Sequence, residues 1–355
     1  MNPKMLLVCF ALGAAACGSK SATSGNALAD AAGAADTGIA ADATPTDAAG
    51  DATATADAAA AADVAVGPCA PKPACAIADP SCIALADNTG KTQFGLRIAQ
   101  IDFATPAVFA SGPFGTMLTG ATMPQATTCN LNGQGTFSWL LQFDTAAATL
   151  KTGGAKPVAD PSAGYSFDDE VVSPSGASFH VQPVTLNTAP DASGKFTVAT
   201  GADLILPVFL DASGTNGLFL PLRQARIATG TLTSHNNCIG AYNAAGLEPS
   251  KGCAPDAGHP QYLDAGSFDG FVTLEDADSV PLTAVGETLC VLLAGNPVSF
   301  SDGATPLAHC KRGANGKILF TGNWCAATDT AGSLSCADAV HVAGNFAASA
   351  VKILN

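Results

Sequence analysis

"TFSWLLQFD", residues 136–144, is the stretch whose reading decides the fold. Phe137, Trp139, Leu141 and Phe143 alternate with Ser138, Leu140, Gln142 and Asp144, close to a strict period of two. Successive side chains of a β-strand point to opposite faces, so this spacing gathers four large apolar groups on one side. The segment therefore predicts a half-buried strand with Trp139 in the core.

Similar runs follow along the chain: "FGLRIAQIDF" (94–103), "DGFVTLED" (269–276), "TLCVLLA" (288–294), "KILFTGNW" (317–324) and the closing "SAVKILN" (349–355). Turn residues separate them, and long amphipathic helices are hard to find. One hairpin can be specified further. "LILPVFL" (204–210) and "LFLPLRQ" (218–224) flank "DASGTNG", and pairing in which residue numbers sum to 428 sets Pro207 against Pro221 and Phe209 against Phe219. Neither proline can donate to the ladder, so a shared non-hydrogen-bonded site costs least. The expectation is an all-β fold: a disulfide-stapled β-sandwich, either one large or two smaller.

The folded region begins at Cys69. Residues 18–68 are almost wholly Ala, Asp, Thr, Gly and Ser, with no aromatic residue, no Cys, and no Lys or Arg after Lys20. Such a composition builds no core. Asp30, Asp36, Asp42, Asp47, Asp51, Asp57 and Asp63 keep it solvated and self-repelling, and the 17–68 stretch reads as a disordered tether with a root-mean-square reach of roughly 40 Å. Residues 69–355 are long enough for one large domain or two smaller ones, with a sub-boundary near 185–195 as the dividing option. The formal net charge of −14 argues against nucleic acid or an anionic lipid surface as a partner.

The chain has twelve cysteines. No CxxC pair occurs and the five histidines are scattered, so disulfides account for the cysteines better than zinc or redox chemistry. Cys69, Cys75, Cys82, Cys129, Cys238, Cys253, Cys290, Cys310, Cys325 and Cys336 form an even set. Cys238 with Cys253 and Cys325 with Cys336 look like locally closed loops. At least one of Cys69, Cys75 and Cys82 must reach further, with Cys129 the nearest partner. Four of the ten lie before residue 130 and six after 237, which permits a boundary between them.

At the N-terminus, Lys4 precedes the eight-residue apolar run "MLLVCFAL" (5–12), too short to span a bilayer. "GAAACGSK" (13–20) follows. Its alanines suit ordinary small-x-small cleavage as well as a lipoprotein peptidase. The stretch resembles the lipobox of bacterial lipoproteins, with Ala14 where the family most often has Leu. The resemblance covers about the first twenty residues and implies a signal peptide at 1–16 and lipidation of Cys17. Gly18, where Asp would suggest inner-membrane retention, implies an outer-membrane or surface address. Cysteine parity agrees, because cleavage discards Cys9 and lipidation removes Cys17 from the thiol pool, which leaves ten to pair.

Catalytic motifs are missing: no GxSxG elbow, HExxH helix, phosphate-binding glycine loop or complete calcium loop is present. Asp168, Asp169 and Glu170, and Glu275, Asp276 and Asp278, are acidic clusters that calcium or a glycosidase would use, although solvated turns are the commoner fate of such groups. Tyr242 and Tyr262, amphipathic aromatics in neighbouring loops, mark the region for a binding surface. No cofactor is expected. Together these features predict a lipid-anchored envelope or surface protein with a non-enzymatic binding or structural role toward a glycan or an envelope protein. A secreted glycosidase-like hydrolase with carboxylates in a cleft is the competing class.

Overall fold

Eight long strands carry the architecture: β1 (Gln93–Thr105), β2 (Ser138–Asp144), β3 (Thr149–Ala155), β4 (Val184–Asn187), β5 (Ala202–Phe209), β6 (Gly217–Thr231), β7 (Gly266–Thr273) and β8 (Ala339–Ala350). They are seen in a computed structural model that describes residues 68–70, 77–122, 125–126, 131–132, 135–173, 178–256 and 258–354. All neighbours pair antiparallel, in the spatial order β5-β6-β7-β8-β1-β2-β3-β4. The chain thus forms two four-strand meanders, joined where the last strand, β8, pairs with the first, β1. Short strands at Lys195–Phe196, Cys238–Ile239, Trp324–Cys325 and Thr330–Ala331 extend the sheet.

The all-β, disulfide-stapled fold read from the sequence is present. Its facing layers come from one sheet that curls on itself, because β5 at one end folds onto β3 and β4 at the other. Pro207 of β5 lies on Gly154 of β3, where a side chain would collide with the pyrrolidine ring. The Phe209 N–H donates to the Thr136 carbonyl at 3.0 Å across the same seam. Phe137, Trp139, Leu141 and Phe143 all face the interior, and the Trp139 indole N–H donates to Thr152 Oγ1 at 2.8 Å. Trp139 is 2 % exposed, so the core face of 136–144 is as read; the opposite face is not left to solvent throughout, because Ser138 and Leu140 are also fully buried, Leu140 against Ala155, Tyr165 and Val351.

The 204–224 hairpin forms with a register two residues from the expected one. Pro207 faces Phe219, Ile205 faces Pro221 and Phe209 faces Gly217. The proline argument constrained only the parity of the pairing, which is kept; the turn chose between registers of equal parity. The Asp211 carboxylate accepts from the Ser213 N–H at 2.9 Å, the Asn216 N–H at 3.1 Å and the Asn216 side-chain amide at 2.7 Å. This draws Asn216 into the closing pair, where its carbonyl accepts from the Leu210 N–H at 2.8 Å. The Ser213 hydroxyl, followed by Asn216, holds the Asp211 carboxyl well below the usual carboxylate range. In Asp211→Ala the Leu210 amide should exchange with solvent several-fold faster while Leu206 stays protected. Unchanged exchange at Leu210 would show that the carboxylate does not set the turn.

Two expected strands are not strands. Residues 289–294 form helix α4 (Leu289–Ala294), closed by Gly295 at φ 64°. A continuous apolar run has no period to separate the two forms, and the left-handed glycine cap decides for helix. Residues 274–279 leave β7 as helix α3 (Leu274–Ser279), where the Thr273 hydroxyl accepts from the Asp276 N–H at 3.0 Å. Thr273 followed by Asp276 is a capping spacing written in the sequence. Within 317–324 the β-pairing is limited to Trp324 and an isolated bridge from Ile318 to Arg312.

The disulfides are less local than the spacing suggested. Cys325–Cys336 forms as expected, and Cys290 pairs with Cys310. Cys238 joins Cys82 and Cys253 joins Cys69, so the predicted 238–253 loop is not closed on itself. Cys238 is held in a ladder against Ser349 of β8, while residues 241–242 pair with 262–263 and carry the chain away. Residues 77–86 run along the same flank, where the Leu85 N–H donates to the Ala350 carbonyl at 2.8 Å and the Tyr242 N–H to the Ser81 carbonyl at 2.7 Å. Cys75 and Cys129 lie outside the described residues. Both long-range disulfides cross the proposed division between residues 130 and 237, the sheet passes through 184–196, and residues 61–355 cluster as one unit.

Candidate functional site

A phase slip in β1 builds the floor of the site. Phe94, Leu96 and Ile98 face the core, a bulge intervenes between Ile98 and Gln100, and Ile101 and Phe103 then face the core. An extra residue in one strand reverses the parity of everything after it. Gln100 and Asp102 are thereby turned outward, onto the flank that carries Tyr262. The Gln100 side chain completes a ladder of its own: Oε1 accepts from the Tyr262 N–H at 2.7 Å, and Nε2 donates to the Tyr262 carbonyl at 3.2 Å and to Asp102 Oδ2 at 2.6 Å.

One wall is helix α2 (Gly112–Thr122), which follows the short α1 (Ala107–Ala110) directly after β1. Phe109 of α1 and Leu118 and Ala121 of α2 bury the inner side of this pair in the core. The C-terminal end of α2 is fastened by Arg97, 2 % exposed, which donates to the Thr122 carbonyl at 2.8 Å, the Phe137 carbonyl at 3.0 Å and Ser138 Oγ at 2.9 Å. The outer side, with Gly115, Thr119 and Gly120, faces Pro255, Pro260 and Gln261 across a groove of about 650 Å³. The Cys69–Cys253 disulfide and an exposed ionic cluster brace that second wall: Lys251 reaches Asp256 at 2.7 Å and Glu248 at 3.1 Å, and His259 reaches Asp256 at 2.9 Å.

Two buried oxygens at this groove are unspent. Gln261 is 1 % exposed and its Oε1 has no partner in the protein; the same holds for Asp264 Oδ1. Burial, the Asp102 charge beside it and a hydrogen bond between the two carboxyls push Asp264 up to about 8. These effects favour the protonated form of Asp264. Among the described residues, none that lines the groove is Lys, Arg or His.

The residues singled out from the sequence lie elsewhere. Tyr242 and Tyr262 do meet, edge to face at 5.4 Å, but as interior groups at 8 % and 1 % exposure in a small core with Cys69, Cys82, Cys238 and Leu247. The Tyr242 hydroxyl donates to the Cys69 carbonyl at 3.1 Å. They support the groove from behind and present no platform to a ligand. The carboxylates weighed for calcium do not converge, because the chain's own cations take them. Glu170 and Asp168 lie 2.8 Å and 4.0 Å from Lys156, and Asp169 lies 2.9 Å from His180. Arg312 binds Glu275 at 2.7 Å and Asp278 at 2.9 Å, and Arg223 binds Asp276 at 2.8 Å. Among the described residues, the gatherings of metal-type ligands each contain both sulfurs of a disulfide, which are not free to coordinate.

Sequence reasoning passed over Gln100, Asp102, Gln261 and Asp264. A signal for the first two was there: two polar residues in an apolar strand, at the point where its alternation changes phase. The fold and groove define an all-β, disulfide-stapled protein with an acidic polar groove on one flank of a curled meander. No protein-family model, curated protein or solved structure matches the chain.

Proposed function

We propose that this chain is a lipid-anchored protein of the cell envelope or surface with a non-enzymatic binding role, and that the groove between α2 and residues 254–261 holds its ligand. Cys17 is the attachment point, and residues 17–68 hold the domain clear of the membrane. The observation that carries the binding reading is Gln261, a fully buried amide that lines the groove with an unspent carbonyl oxygen. Unsatisfied buried polar atoms are rare in native proteins, and a ligand that enters the groove supplies the missing partner.

Hydrolysis by carboxylates is the second reading, favoured by the meeting of the Asp102 and Asp264 carboxyls. Those two groups hydrogen-bond to each other. Glycosidase pairs stand at least about 5 Å apart to admit a sugar or a water, so the contact supports binding over glycoside hydrolysis.

Gly120→Phe tests the groove, because a Cβ at Gly120 meets open space and the ring then fills the cleft without displacing neighbours. The full chain should retain material from a glycan panel or detergent-solubilised envelope that the variant does not; equal retention by both overturns the groove as the ligand site. Metabolic fatty-acid labelling should mark the native chain and leave Cys17→Ser unlabelled. Label that persists in the variant overturns the anchor.

A further inference from the structure

The groove offers mostly hydrogen-bond acceptors, with the Thr119 hydroxyl as a donor. The Ser111 hydroxyl spends its proton on the Ala107 carbonyl at 3.0 Å, and the Thr116 hydroxyl on the Gly112 carbonyl at 3.0 Å, so each shows the cleft only lone pairs. Both donor bonds of the Gln100 amide go to Asp102 and the Tyr262 carbonyl. The Gln261 side chain leaves its Oε1 without a partner. Asp102 accepts from Gln100 and adds negative charge on the groove floor, beside Asp264. The cations nearest in sequence, Lys251 and His259, are engaged by Glu248 and Asp256 on the exposed loop.

From this pattern we infer that the groove takes a ligand through a primary ammonium group, seated between the Asp102 carboxylate and Gln261 Oε1. The inference rests on the reading of the groove as a ligand site and names the chemistry of that ligand. An ammonium is a donor-only group with three N–H bonds and no lone pair, which is the complement of an acceptor-rich cleft. A neutral hydroxyl would satisfy Gln261 Oε1 but bring its own lone pairs against the lone pairs of Ser111, Thr116 and Asp102. A carboxylate or phosphate would find one donor in the Thr119 hydroxyl and otherwise acceptors over a negative floor. Charge-assisted bonds to Asp102 give the ammonium a further advantage over any neutral donor. The ammonium belongs either to an alkylamine or to an amino sugar, and the groove chemistry is the same for both.

The test is titration of the full chain at pH 6 with n-butylammonium and with glucosamine, each against its neutral counterpart, 1-butanol and glucose, followed by calorimetry and by the NMR signal of the Gln261 side-chain amide. At least one ammonium compound should bind saturably, about tenfold or more tighter than its neutral counterpart, and shift that amide. Binding by n-butylammonium alone identifies an alkylamine source, and binding by glucosamine an amino sugar. Asp102→Asn should weaken binding about tenfold, and Gly120→Phe, which leaves the net charge unchanged, should abolish it. Neutral compounds that bind as well as the ammoniums overturn the inference. So does ammonium binding undiminished in Gly120→Phe, which marks general attraction to an acidic surface. If envelope material is retained in a groove-dependent way while neither ammonium binds, the inference falls and the groove remains a ligand site.

Discussion

Replacing Cys82 and Cys238 together with alanine should lower the unfolding free energy by about 5 kcal/mol, an effect matched by the Cys69–Cys253 pair, whose residues are 184 apart. Cys82 and Cys238 are 156 apart in sequence, and a cross-link that closes so long a loop removes much of the entropy of the unfolded chain. Cys325 and Cys336 are only 11 apart, and the same argument gives about 3 kcal/mol for that pair. Native contacts add to the difference. Cys82 and Cys238 are fully buried in the small core that holds Tyr242 and Tyr262, whereas Cys336 sits in an exposed loop. Urea unfolding of the two double variants measures both values. Equal losses would mean that the 77–86 segment is held by its ladder bonds and packing, with the disulfide redundant.

Asp264→Asn should abolish a pH dependence that the native protein shows between about pH 4 and pH 8. Burial and the adjacent Asp102 charge raise the Asp264 carboxyl from its ordinary 3.8 to about 8 in the folded state. Between those values the folded chain binds a proton that the unfolded chain has released, so stability is greatest near pH 4 and declines as pH rises toward 8. The side chain is only partly shielded from water, and screening reduces the ideal linkage to about 3 kcal/mol over the window. Asparagine keeps a donor for Asp102 but does not titrate. The variant should match the native protein near pH 5 and exceed it in thermal stability near pH 9. Its melting temperature measured at both values checks this, and a variant with the native slope would locate the pH dependence in another group.

The parts of the fold that could be read in advance rest on local rules. Phe137, Trp139, Leu141 and Phe143 announced β2 because a strand in contact with a core must alternate. Pro207 and Pro221 placed the 204–224 hairpin and its parity because a proline cannot sit where a ladder bond is needed. Cys325 and Cys336 paired over a short span, as their spacing suggested. The strand expected at 288–294 failed because an unbroken apolar run has no period, and the functional floor was missed because the turn of Gln100 and Asp102 depends on a bulge opposite β8.

What the sequence by itself determined is therefore the class of the fold: antiparallel strands around an apolar core, stapled by disulfides. Only the tertiary structure decided the hairpin register, the partners of Cys69, Cys82, Cys238 and Cys253, the burial of Tyr242 and Tyr262, and the meeting of Asp102 with Asp264. Strand periodicity is a property of residues two apart and is written wherever they stand. Disulfide choice and the meeting of two carboxyls depend on residues about 160 positions apart, whose approach is set by how β1 and β7 flank β8 in the closed sheet.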